Sequence, residues 1–295
     1  LRSEAAITHS IEAFEVQPEA RLMRPIADAP RLTASACEPV REIEIVDELG
    51  MRRAIFIPAE RALTVRLDDR ELVTLMTLGA SPELLVLGFL CNHRLITHAG
   101  ELESISVDWP TGVSIVKSRS GRRDAPAAWP GFVASGSGQG SIVAGLMSQL
   151  DNVRLPEAAR ARIRQSTLRK VLEVMRQHDS IHRHARSVHS CALFQDEHLL
   201  VSVEDVGRHN ALDTVSGWMA LHGIDGGDKI LFTTGRLTGE MVAKAALCGV
   251  PIVVSRNGVS TMGYDLAEKF GMALFGRAVH RHFHCYTGVE RFDAE

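Results

Sequence analysis

Three charged runs in the second half of the chain hold residue types that can do chemistry. In Glu204-Asp205-Val206-Gly207-Arg208-His209-Asn210-Ala211-Leu212-Asp213, acids, an Arg, a His and an Asn crowd the turn into a predicted helix. Backbone amides at a helix start favour anions, and Arg208, next to His209, has the forked donors that grip a phosphate. A capped helix start with solvated charges fits the same run. In Thr233-Thr234-Gly235-Arg236-Leu237-Thr238-Gly239-Glu240 a strand runs into Gly235 and Arg236 and then into a helix. This loop is compatible with a phosphate but lacks the Gly-Lys-Ser/Thr ending of a P-loop, and plain strand–turn–helix chemistry also explains it. The run Arg277-Ala278-Val279-His280-Arg281-His282-Phe283-His284 holds three His and two Arg in eight residues. On a strand its histidines share one face, where they can meet an anion or form a solvated basic edge. No nearby carboxylate or cysteine completes a metal set, so no metal is expected. A fourth segment, Ser135–Ser141, is almost all Gly and Ser, which suits either an exposed functional loop or a plain flexible linker.

The patterns around these runs predict the elements that position them. Short strands are expected at 44–46, 54–57 and 62–67, with others at 105–107 and 113–117. Ser81-Pro82-Glu83 is a strong helix start. Residues 167–178 carry Leu168, Val171, Leu172 and Met175 at helical spacing. A hairpin is expected over 188–194 and 199–203. Helix 208–222, closed by Gly223, strand 229–234, helix 240–248, strand 251–255 and helix 261–270 follow, with final strands at 272–275 and 283–286. This alternation predicts a mostly parallel sheet covered on both faces, with ligands at the strand ends after Thr234, Ser255 and Phe275.

Residues 1–40 read as a flexible leader, 41–134 as a smaller N-terminal α/β domain, 135–141 as a Gly/Ser loop and 142–295 as a larger α/β domain. The chain of 295 residues is 45% apolar and 23% charged with a net charge of −3, which suits a globular protein and suggests no nucleic-acid or membrane-surface partner. The longest apolar stretch, Leu72–Leu90, is broken by Ser81, Pro82 and Glu83, so no membrane span is expected, and with no apolar signal core at Leu1–Glu4 a cytoplasmic location is expected. Five scattered cysteines (Cys37, Cys91, Cys191, Cys248 and Cys285) form no C-x-x-C pair, which argues against a disulfide framework and a structural zinc site.

Together these segments resemble the FdhD family of formate dehydrogenase accessory proteins. Glu204–Asp213 matches the family's most distinctive run nearly residue for residue. Arg236, Glu240-Met241-Val242, Lys244-Ala245-Ala246, Gly249 and Pro251-Ile252 fit the next block. Asp265-Leu266-Ala267, Gly271, Gly276 and Tyr286-Thr287 fit the last, and Leu87-Gly88-Phe89-Leu90 fits an N-terminal helix. The resemblance covers residues 43–292. It implies a cytidine-deaminase-like, three-layer α/β/α second domain with a smaller mixed N-terminal domain, and a homodimer. It also implies a sulfur carrier that takes sulfur from a cysteine desulfurase as a persulfide. The sulfur would pass to the bis-molybdopterin guanine dinucleotide molybdenum cofactor before that enters the formate dehydrogenase catalytic subunit. A guanine nucleotide would mimic the cofactor. The family's cofactor-binding stretch falls on Gly276, Arg277, Ala278, Val279, His280, Arg281 and His282, and Arg208, His209 and Arg236 are further candidates.

The chain departs from that pattern in four places. Ser137 stands where the family's persulfide-carrying Cys is expected, and a hydroxyl cannot form a persulfide. Asn257-Gly258-Val259-Ser260 replaces Ser-Ala-Pro-Thr, Ala185-Arg186-Ser187 replaces Thr-Gly-Gly, and Cys91-Asn92-His93 stands where an acidic-Gly pair is usual. Two functions remain: a sulfurtransferase-type maturation factor, and a non-catalytic chaperone that binds the molybdenum cofactor. A zinc deaminase, which the fold resemblance alone would allow, lacks its His-x-Glu and Pro-Cys-x-x-Cys motifs here.

Overall fold

The computed structural model describes residues 13–18, 20, 23–121, 150, 153–178 and 180–294. In chain order the strands β1 (Phe14–Val16), β2 (Arg31–Leu32), β3 (Val40–Val46), β4 (Arg52–Pro58), β5 (Arg61–Leu67) and β6 (Arg70–Thr77) precede helix α1 (Pro82–Asn92). Strands β7 (Leu102–Asp108), β8 (Val113–Ser118) and β9 (Ile163–Arg164), helix α2 (Gln165–Gln177) and the one-turn helix α3 (Ile181–His184) follow. The remainder runs β10 (His189–Gln195), β11 (His198–Asp205), α4 (Arg208–His222), β12 (Lys229–Thr233), α5 (Gly239–Leu247), β13 (Ile252–Ser255), α6 (Thr261–Phe270), β14 (Ala273–Val279), β15 (His282–Thr287) and β16 (Phe292–Asp293).

The larger sheet has the order β1-β11-β10-β12-β13-β14-β15. Only β12–β13 and β13–β14 pair parallel; the other four pairings are antiparallel. The expectation of a mostly parallel sheet is therefore corrected. A parallel pair needs a crossover long enough for a helix, and only α5 and α6 supply one, whereas β10–β11 and β14–β15 close through short turns. Part of the expected leader is also built into the sheets. Phe14–Val16 pairs with β11, and Arg31–Leu32 pairs with β7 at the edge of a five-stranded sheet, β2-β7-β8-β5-β6. The Gly/Ser loop lies outside the described residues.

Apolar side chains bury both faces of the larger sheet, as its unbroken hydrophobic strands require. Leu168, Val171 and Leu172 of α2 cover Phe194, Phe232, Val254 and Phe275 on one face. On the other, α4, α5 and α6 cover Cys191, Leu193, Leu231, Val253 and Leu274. The five-stranded sheet contributes Leu63, Val65, Ile105 and Val116 to that same core, and α1 lies between the sheet and α4.

The contact between α1 and α4 is backbone on backbone. A Cβ on Gly88 would fall against the carbonyl oxygen of Asp213 and the amide of Gly217, and one on Gly217 would meet the carbonyl of Leu84. No flexible side chain stands there to move aside. Gly217→Ala is expected to force the helices apart and lower stability by about 3 kcal/mol. Urea unfolding checks this, and an unchanged midpoint would show that the crossing is loose.

Candidate functional site

The ends of β12, β13 and β14 border one cavity. Its larger part, about 380 Å³, is lined by Arg176, His178, His182, Arg183, Arg186 and Arg256, with Ser190 and Thr234 on its wall. A narrower continuation shares Met175, Arg176, Phe232 and Arg256 and is closed by Ala278, Val279 and His280. No acidic side chain lines either part among the described residues. A pocket of roughly 300–1,000 Å³ is the usual size for a small-molecule ligand. A wider groove of about 1100 Å³ crosses the five-stranded sheet, but it mixes Arg66, Arg70 and Lys117 with Asp68, Asp69, Glu71 and Glu103. None of the three charged runs reaches it, and its mixed charge selects no anion.

Glu204 and Asp205 are buried and position other residues. Glu204 accepts hydrogen bonds from the amide of Ile181 (2.5 Å) and from Ser190 Oγ (2.6 Å), so it fixes the α3 turn that carries His182, Arg183 and Arg186. Asp205 accepts from Thr77 Oγ1 (2.5 Å), the Leu78 amide, the Gly207 amide and Asn210 Nδ2 (3.0 Å). It thereby ties β6 to the start of α4. Burial pushes its carboxyl up to about 6, with these four donors pulling the other way. Arg186 and Ser187 hold φ of +53° and +52°, the left-handed region where the family resemblance places glycines.

Arg208, His209 and Arg236 come together where α4 and α5 begin, and none of them lines either part of the cavity, so the structure does not join them to it. Gly235 makes room for Arg208, because a Cβ there would sit 2.8 Å from Arg208 Cδ and 2.9 Å from its Cβ. His209 Nδ1 lies 3.3 Å from Glu240 Oε1, and Glu240 also lies 3.5 Å from Lys244 Nζ. Lys244, 1% exposed, pairs with Asp213 at 2.9 Å. Asn92 Nδ2 donates to the other oxygen of Asp213 at 2.7 Å. Burial, with Lys244 and Arg208 nearby, pushes the His209 imidazole down to about 2, so its contact with Glu240 is not an ion pair. His93 and His189 are also pushed down, chiefly by burial.

The C-terminal stretch divides. Gly276 is buried against the Tyr286 ring, with the Asn257 carbonyl close by, and Ala278, Val279 and His280 close the cavity. Arg277, Arg281 and His282 are exposed and do not line it. Ser137 lies outside the described residues. No cluster of three or more His, Cys, Asp or Glu among the described residues is arranged to hold a metal ion. No described helix is long and apolar enough to cross a membrane. Sequence reasoning does not single out Arg176, His178, His182, Arg183 or Arg256, although six Arg and His between 176 and 186 are a visible signal.

Fold and site define an α/β protein with a cation-lined cavity at the ends of its central strands. The sequence profile of the FdhD/NarQ family matches residues 58–293, which include most of both major sheets. The chain belongs to that family. It is 28% identical over 257 residues to the sulfur carrier protein FdhD of Halalkalibacterium halodurans, covering 84% of this chain and 93% of that one. It is 30% identical to the protein of the same name from Bacillus subtilis, with coverage of 79% and 88%. A crystal structure of a formate dehydrogenase accessory protein from Desulfotalea psychrophila superposes with a TM-score of 0.70 at 25% identity, covering 86% of this chain and 98% of that one.

The depressed His209 sets a pH dependence. In the unfolded chain an imidazole takes up a proton below about 6.5, whereas His209 in the folded protein does not. The unfolded state therefore binds more protons, and this residue's contribution to stability falls as pH drops from 6.5 towards 5, by about 1.4 kcal/mol per unit. Replacing His209 with Gln should remove about 2 kcal/mol of the stability difference between pH 7 and pH 5, measured by urea unfolding at both. An identical pH dependence in the variant would mean that the native imidazole is protonated.

Proposed function

We propose that this chain serves the maturation of a formate dehydrogenase by holding the guanine-nucleotide portion of the bis-molybdopterin guanine dinucleotide cofactor in the cavity at the ends of β12, β13 and β14. The observation that carries this reading is a cavity with four arginines, two histidines and no acidic side chain among the described residues. Guanidinium forks bind phosphate oxygens in pairs, and Met175 and Phe232 offer an apolar wall for a base. The cofactor is cargo in this reading. Arg176, Arg183, Arg186 and Arg256 would hold its phosphates, while Glu204 keeps the α3 turn in place.

The names of the relatives support the wider role of a sulfur carrier; a cysteine desulfurase as the source and the dehydrogenase as the destination are what the family resemblance implies. In this chain the expected carrier position is Ser137, which has no thiol. Four of the five thiols are poorly suited to replace it, and the fifth, Cys37, is half-buried. Burial raises Cys91 and Cys191 to about 12 and Cys248 to about 11, and it also pushes Cys285 up. Sulfur exchange requires a thiolate. For the chain as written, these four thiols favour cofactor binding without sulfur carriage, and Cys37 is the thiol on which that reading has to be tested.

Calorimetry with guanosine diphosphate tests the binding. Arg256→Ala, with its guanidinium in both parts of the cavity, should weaken it by about 1.5–3 kcal/mol. Equal affinity in the variant would remove the cavity from the site. Labelled sulfur from a cysteine desulfurase, followed by peptide mass spectrometry, tests the carrier step. Ser137→Cys should load sulfur at that residue and the unaltered chain should load none. Sulfur on Cys37 or on any other cysteine of the unaltered chain would contradict this account.

A further inference from the structure

Beside the cavity, at the start of α4, two arginines lie near each other. Arg208 is only 9% exposed, and its Nε is buried with no hydrogen-bond partner among the described residues. Arg236, on the exposed loop after Gly235, adds a second positive charge close enough to oppose the first. The carboxylate that acts on Arg208, Glu240, also contacts His209 and shares Lys244 with Asp213, and neither arginine forms an ion pair among the described residues. Helix α4 has no side-chain cap at Gly207 and no acidic residue in its first turn; the Asp205 carboxylate takes the Gly207 amide and Asn210 Nδ2, and among the described residues it makes no hydrogen bond to the amides of Arg208 or His209. A desolvated cation with an open donor is costly unless an anion meets it. The imidazoles of His189 and His209 stand near the pair, and neither Arg208 nor Arg236 is among the residues lining the cavity.

We propose that Arg208, Arg236 and the first amides of α4 form a second subsite, distinct from the nucleotide cavity, that takes a compact anion. The chemistry shared by its possible ligands is a small, multiply accepting anionic group, borne by either a sulfur-terminated species or a phosphate. The subsite's geometry is independent of the function proposed above, and only its use in sulfur or cofactor handling rests on that reading. Gly235 is part of the subsite, because it lets the Arg208 side chain lie across the loop.

The test is titration of the full chain with thiosulfate and with inorganic phosphate, followed by calorimetry, with guanosine diphosphate titrated separately and in competition. At least one of the two anions should bind. Arg236→Ala, a change at an exposed residue, should weaken that binding about tenfold or more and leave guanosine diphosphate affinity unchanged. Arg208→Lys, which keeps the charge and loses the fork, should also weaken it. Tighter binding of thiosulfate identifies a sulfur-bearing ligand, tighter binding of phosphate a phosphoryl one, and either supports the subsite. No binding of either anion, equal affinity in Arg236→Ala, or full displacement by guanosine diphosphate would overturn it. Loss of guanosine diphosphate binding alone, with the anion still bound, would sink the cavity reading and leave this one standing.

Discussion

Gly88 and Gly217 let the backbones of α1 and α4 touch, and the site depends on that contact. The crossing joins the five-stranded sheet to the larger one and leaves no freedom in where α4 begins. Its first residue is Arg208, and Asp205, just before it, bonds to both Thr77 of β6 and Asn210 of α4. The position of Arg208 relative to the strand ends is therefore set by packing in the smaller sheet as well as the larger. A residue that thickened the crossing would act on the site at a distance by tilting α4.

The charges divide into two populations with different tasks. Buried Lys244 is shared by buried Asp213 and half-buried Glu240, and Asn92 donates to the second oxygen of Asp213. Such a set adds little net stability but is costly to break, so it holds α1, α4 and α5 in one register. The arginines of the cavity and of the α4 start lack such partners among the described residues. Positive charge without ion pairs at the ends of the central strands, beside an interior whose charges are paired, distinguishes a ligand site from structural ion pairs.

Much of the fold was legible because local signals agreed. Helix 208–222 with Gly223 in the left-handed conformation, the β10–β11 hairpin and the β12–α5–β13–α6 alternation follow from periodicity and caps. Strand β6 was not legible, because its apolar residues run into those of α1 and form one stretch from Leu72 to Leu90. The roles of Glu204 and Asp205 were hidden for another reason. Their partners, such as Thr77, lie far away in sequence, and a run of charges reads the same whether it points to a ligand or to a buried amide. Arg186 and Ser187 show a further limit: the backbone keeps a glycine-like conformation although the glycines are absent. The cavity itself is assembled from α2, α3 and three strand ends, so only the basic density of 176–186 pointed to it.

The most direct measurement is a crystal structure of the full chain with guanosine diphosphate. The account predicts phosphate density between Arg256 and the Arg183–Arg186 turn, with the base towards Phe232 and Met175. Density instead against the exposed Arg277, Arg281 and His282, with the cavity holding only water, would contradict it.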